Sequence, residues 1–301
     1  VEEGLGDVLR PQRIAGQEAG LRVVAFLGSN VNRHGASLLR RFPPVLIEPT
    51  VEQILAYCAG DPIERVFLED VARRGFARFR AVEGDGGLAA LCYFGANIVP
   101  SGIGCEAFAG EAAARGARMI IGQERAVSDL WSAAGSAMLK PREDRPHQPV
   151  YVIDEPPAAG ATGLREAKLD DVDLLLPACA ATHHEELGID PLQRDAVGFR
   201  RRTIAQIEEG RSWLWAEDGT ILFKAEASAW TPQAIQLQQV WVDPEARRQG
   251  NGKRGLSDLC RLLLEETPTV TLFVRPENEA AIRLYESTGM RRVASYRSLL
   301  F

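Results

Sequence analysis

Val240-Trp241-Val242-Asp243-Pro244-Glu245-Ala246-Arg247-Arg248-Gln249-Gly250-Asn251-Gly252-Lys253 joins an apolar strand to the start of a helix. Two glycines separated by one residue let the backbone turn tightly there. At a helix start, such a turn leaves several N–H groups unpaired and aimed outward at the positive end of the helix dipole, the geometry that cradles a phosphate. Arg247, Arg248, Lys253 and Arg254 add positive charge around the turn. Each charge-assisted hydrogen bond to a phosphate is worth about 1.5–3 kcal/mol. On the glycines alone, the run reads equally well as a tight connection carrying solvated arginines. It does not fit the P-loop pattern, because no Gly-Lys-Ser/Thr follows a glycine after four spacers, and it lacks the third glycine of the dinucleotide fingerprint.

The flanking segments are regular. Leu256, Leu259, Cys260, Leu263 and Leu264 recur at helical spacing and predict one buried helix face. Residues 270–274 read as a strand, 279–288 as a helix ended by Gly289, and 293–301 as a closing strand. Upstream, residues 234–242 form a strand, and Asp218-Gly219 between two apolar runs signals a hairpin. Residues 194–209 predict a helix stopped by Gly210, and 170–182 a helix capped by Asp170 and kinked or split at Pro177.

The strand–turn–helix run resembles the acyl-CoA loop of the GNAT superfamily of N-acetyltransferases, Arg/Gln-x-x-Gly-x-Gly/Ala behind a V-x-V-x-P strand end. Arg247, Gly250 and Gly252 fill the first pattern, and Val240, Val242 and Pro244 the second. A second hallmark of the superfamily follows about 30 residues later, where residues 278–290 resemble N-x-x-A-x-x-L-Y-x-x-x-G-F, with Met290 in place of the usual Phe. The resemblance covers residues 164–301. More loosely, the whole chain resembles tandem GNAT proteins of high-GC bacteria, in which a degenerate first half precedes the active one. The fold expected is α/β, with a mixed sheet in a C-terminal GNAT domain and a second, degenerate GNAT-like domain before it.

The resemblance implies acetyl-CoA as acyl donor, held by Val240, Trp241, Val242, Arg247, Arg248, Gln249, Gly250, Asn251, Gly252, Lys253, Asn278 and Tyr285. A primary amine of a small molecule or protein would attack the thioester directly, with Tyr285 protonating the leaving thiolate and a backbone N–H near 240–242 holding the oxyanion. Asn278 reads equally as a helix cap, and Tyr285 as a core aromatic. The third strand offers Gln236, Gln238 and Gln239 where many members have a carboxylate, so Glu226 is the candidate base, against an ion pair with Lys224 or an arginine. His183-His184-Glu185-Glu186 falls where the superfamily closes over its substrate, and adjacent histidines do not suit one metal site. The rival reading is an acyl-CoA-binding regulatory module without efficient turnover.

Composition agrees with a packed, soluble chain of 301 residues, 46% hydrophobic and 25% charged. A net charge of −6 argues against a broadly basic nucleic-acid face. Five cysteines without a C-x-x-C pair read as reduced thiols of a cytoplasmic protein. Residues 86–105 are uncharged but broken by Gly, Asn and Pro, and read as buried strands rather than a membrane span. The Pro/Ala/Gly-rich residues 155–163 predict a linker. It divides a degenerate domain, 43–154, from the acetyltransferase domain, 164–301, while residues 1–42 fit no pattern. The first half has no Arg-x-x-Gly-x-Gly run, so a second cofactor is not expected there. A homodimer is compatible with the reading.

Overall fold

The computed structural model describes residues 45–76 and 78–301, and the unassigned segment 1–42 lies outside the described residues. Alternating turn signals and apolar runs produce one order of elements, and that order occurs twice. The first half runs β1 (Leu46–Ile47), α1 (Val51–Ala59), α2 (Val66–Arg73), β2 (Phe79–Gly84), β3 (Gly87–Phe94) and β4 (Asn97–Gly102). It continues with α3 (Ala109–Arg115), β5 (Met119–Gln123), α4 (Glu124–Ala134) and β6 (Glu143–Ile153). The second half repeats it as β7 (Arg165–Glu166), α5 (Val172–Leu187), α6 (Pro191–Glu208), β8 (Ser212–Glu217), β9 (Thr220–Trp230) and β10 (Ile235–Trp241). Then come α7 (Asn251–Leu263), β11 (Val270–Phe273), α8 (Glu279–Thr288) and β12 (Arg291–Leu300).

Among the described residues these strands form one mixed sheet in the order β1-β2-β3-β4-β5-β12-β6-β11-β10-β9-β8-β7. The order is symmetric about the central β12·β6 pair. Each half therefore ends by lending its last strand to the other: β12 pairs with β5 of the first half, and β6 with β11 of the second. Residues 155–163 link two halves that already share a sheet.

Two pairs, β4·β5 and β10·β11, are parallel, and each is reached by a helical crossover, as parallel pairing requires. Both parallel pairs hold for only two residues. On β10 the pairing stops after Gln236↔Thr271. Register shifts against β9 follow immediately, and Gln239 sits at φ +54°. This bulge bends β10 away from β11 and opens a splay between the two strands.

Helix α7 closes one face of the sheet with Leu256, Leu259, Cys260 and Leu263, all buried as their spacing predicts. It lies so close to β9 that a Cβ at Gly255 would overlap the Phe223 ring. The Asp218-Gly219 hairpin is present, with both residues at positive φ (+47° and +78°), the mark of a type I′ turn.

Several expectations need correction. Helix α5 is not broken at Pro177, which lies on its exposed side. Asp170 does not cap α5, since a short 3₁₀ turn, Leu169–Asp171, precedes it. Helix α6 starts at Pro191 under an Asp190 cap and kinks at Asp195, whose carboxylate accepts from Gly198 N at 2.9 Å. Strand β2 has no counterpart among the sequence expectations, and β6 runs from Glu143 to Ile153. Pro146 and Pro149 disguise it: a register shift against β12 takes in Pro146, and Pro149 stays in register opposite Ser295. The uncharged run 86–105 forms β3 and β4, and no described helix is long and apolar enough to cross a membrane. All five cysteines are unpaired and buried.

Candidate active site

The loop after β10 is shaped by local hydrogen bonds. Asp243 accepts from Glu245 N at 2.9 Å and starts a single 3₁₀ turn, Pro244–Ala246. Arg248 (φ +63°) and Gly250 (φ +83°) then reverse the chain into α7. The buried Asn251 side chain donates to Ala246 O at 3.0 Å, and Gln249 Nε2 donates to Glu245 O at 3.0 Å, so both fasten the turn. Among the described residues, none accepts from the backbone N–H groups of Arg248 to Lys253. A Cβ at Gly250 would meet nothing within 4 Å, so open space faces this row of donors. At Gly252 a Cβ would press on Leu284 and Val242, which fixes α8 and the end of β10 against the loop.

The basic side chains divide. Arg248 and Lys253 are exposed and pair with no carboxylate among the described residues. Arg247 donates to Val242 O at 3.0 Å and to Glu185 Oε1 at 2.8 Å. Arg254 turns away from the loop: it donates to Gly160 O at 2.9 Å and Ala161 O at 2.8 Å, and stacks on Trp215. Val240 and Val242 pack on the second-half core, and Trp241 is buried.

Asn278 caps α8 by accepting from Ala281 N at 3.1 Å. Tyr285, one turn further and next to Leu284, packs its ring 6.0 Å from that of Tyr151. Its hydroxyl bonds to no described residue, and the side chain is buried. Burial, and then the negative charge of Glu186, push the phenol above its ordinary range, which keeps it protonated.

Glu226 is committed elsewhere. Its Oε1 lies 3.3 Å from the Lys224 ammonium and 3.2 Å from Cys179 Sγ, and its Oε2 is 3.4 Å from Gln238 Nε2. Lys224 is fully buried and also donates to Gln239 Oε1 at 3.3 Å. Burial opposes its charge, but Glu226 and Cys179 outweigh burial and hold its pKa above the ordinary value. Glu226 borders a cavity of about 330 Å³ between the sheet and α6, where Gln238 and Gln239 face Phe199, Arg202 and Gln206.

The His183–Glu186 run ends α5 beside the splay. Arg275 donates to Glu185 O at 3.3 Å, Arg145 to Glu186 O at 2.9 Å, and Arg142 to Leu187 O at 3.3 Å. These three cations satisfy the last carbonyls and complement the negative helix end. His183 packs edge-on against Phe199, and its buried Nδ1 has no partner. Burial, then Arg202, lower its pKa.

Residues 179–290 match the family model described as acetyltransferase (GNAT) family, and residues 77–175 one described as a domain of unknown function (DUF4081). Among solved structures, a GNAT-family acetyltransferase from Colwellia psychrerythraea is 14% identical, with 86% of this chain and 100% of that one covered at a TM-score of 0.56. A GCN5-related N-acetyltransferase from Sphaerobacter thermophilus is 16% identical (84% and 94% covered, TM-score 0.53). A tandem GNAT protein from the clavulanic acid biosynthesis pathway is also 16% identical (83% and 94% covered, TM-score 0.50). No curated protein matches the sequence.

The second half thus carries a GNAT acetyltransferase domain, and the GNAT-like fold extends over the first half as well.

Proposed function

We propose that the protein is an acetyl-CoA-dependent N-acetyltransferase acting on a primary amine of a small molecule or protein. The observation that carries this reading is the row of unpartnered N–H groups from Arg248 to Lys253, opening at the end of a strand bent away from its parallel neighbour. Those donors, with Arg248 and Lys253, suit a pyrophosphate. The splay between β10 and β11 leaves strand backbone free to pair with the amides of an extended pantetheine arm. The donor supplies a thioester carbonyl. The chain's own residues orient it, hold the developing oxyanion on a backbone N–H near 240–242, and deliver the Tyr285 proton to the departing sulfur. The cavity beside Gln238 and Gln239 receives the acceptor. Five unpaired cysteines suit a reducing compartment such as the cytoplasm.

One donor per chain is expected. At the matching position of the first half, a Cβ at Gly102 would strike Ala89 O and the Tyr57 hydroxyl. Hydrogen bonds run there from Tyr57 through Ser101 to Glu64 (3.0 and 2.9 Å), and Glu106 and Glu111 flank the start of α3, where α7 is flanked by Arg248 and Lys253. Calorimetry with acetyl-CoA is expected to give a stoichiometry near one, with affinity weakening as salt is added. A stoichiometry near two, or no binding, contradicts the reading.

A further inference from the structure

The cavity beside Gln238 and Gln239 carries opposite charges on its two walls. Of the residues that line it, two are charged: Glu226 on the sheet side and Arg202 on α6. Glu226 Oε1 is occupied by Lys224 and Cys179, whereas Oε2 has only Gln238 Nε2, at 3.4 Å. Arg202 is held loosely. Its Nη1 lies 3.5 Å from Asp195 Oδ2, with both side chains more than half exposed (61% and 55%), and its guanidinium carbon is 5.8 Å from the centre of the Phe199 ring. An exposed ion pair of that kind contributes little, so a ligand anion can displace it. Asp195 stays partnered when that happens, because its Oδ1 accepts from Gly198 N at 2.9 Å.

We propose that the acceptor is a small amino acid in the broad sense, an amine that also carries a carboxylate, and that Arg202 is the residue that selects it; this rests on the transferase reading above. The reacting nitrogen must reach the splay, and Gln238 and Gln239 lie on the bulged stretch of β10 that opens it. The sheet wall therefore takes the amine, which arrives as an ammonium and is drawn to Glu226. The α6 wall faces the rest of the acceptor, and there Arg202 offers a planar fork of donors that matches a carboxylate.

The uncharged lining fits the same ligand. Gln238 and Gln206 use only their side-chain nitrogens and Gln239 only its oxygen, so among the described residues Gln238 Oε1, Gln206 Oε1 and Gln239 Nε2 have no partner. They leave two acceptors and a donor for the polar groups of a ligand. A volume of about 330 Å³ is at the small end of ligand pockets, which suits a single amino acid rather than a peptide chain. A diamine would set its second charge against Arg202, and a plain alkylamine would leave Arg202 without an anion.

The test measures thiol release from acetyl-CoA by the full chain with a series of small amino acids, each beside its carboxamide. The kcat/KM of the parent is expected to favour the acids by about 10- to 100-fold, a difference carried by KM. Arg202→Gln is expected to lower that ratio by about 10-fold or more; setting one protein against the other cancels the different reactivity of acid and amide. Arg202→Lys, which keeps the charge without the fork, is expected to give an intermediate ratio. Both substitutions fall on an exposed side chain, so thermal unfolding is expected to match the parent's. A parent that acetylates amines but treats acids and amides alike, or prefers peptides, overturns the substrate assignment and leaves the transferase reading standing. An unchanged ratio in Arg202→Gln overturns the role of Arg202. A parent that releases no thiol with any amine overturns the transferase reading, and calorimetry with the same amino acids then decides the cavity by itself. Binding that Arg202→Gln weakens about 10-fold or more supports the pairing of this cavity with amino acids, and absence of binding overturns it.

Discussion

Gly250→Asp is expected to leave a folded protein with little affinity for acetyl-CoA. Position 250 is exposed at φ +83°, and a Cβ there meets no protein atom within 4 Å, so folding has little to lose beyond about 1–2 kcal/mol of backbone strain. Aspartate is among the side chains that tolerate this conformation best. The new carboxylate would instead stand in front of the donor row, adding a negative charge where a pyrophosphate is expected. Loss of even two charge-assisted bonds, at about 1.5–3 kcal/mol each, weakens binding by about two orders of magnitude or more. Calorimetry measures the affinity and thermal unfolding the fold. A variant that melts like the parent and binds within threefold of it would reduce the loop to a turn.

Tyr285→Phe is expected to lower kcat by about 100-fold or more while acetyl-CoA affinity and melting temperature stay close to those of the parent. The ring is buried against Tyr151, and phenylalanine keeps that packing. The hydroxyl has no partner among the described residues, so its removal breaks no hydrogen bond among them. What is removed is a proton that burial and Glu186 keep in place across physiological pH. A variant with parental turnover would make Tyr285 a packing residue, and one that loses binding without losing kcat would assign it to the donor site.

The loop and the helix behind it were legible because their signals are local. Glycine conformation, apolar spacing on α7 and the Asp218-Gly219 turn each act within a few residues. The strand exchange was not, because β12 pairs with β5 about 180 residues upstream. The residues of 293–301 identify a strand but carry no signature of its partner. Pro177 predicts a kink or split, yet α5 runs on through it with the proline on the exposed side. At the site, sequence named the loop residues but could not show that Arg254 turns to the 155–163 segment, or that Glu226 is bound by Lys224. Both outcomes depend on side-chain partners brought together by the fold. The Glu185-Glu186 pair was visible as a cluster, yet only the fold shows that Arg247 and Trp241 bind the Glu185 carboxylate.

The most direct test of the account is thiol release from acetyl-CoA by the unmodified chain, measured alongside the N-acetylated product over a panel of small primary amines and peptides. The account predicts that thiol and product appear one for one and only when a suitable amine is present. Saturable acetyl-CoA binding at one site, with no amine-dependent thiol from any member of the panel, would contradict it.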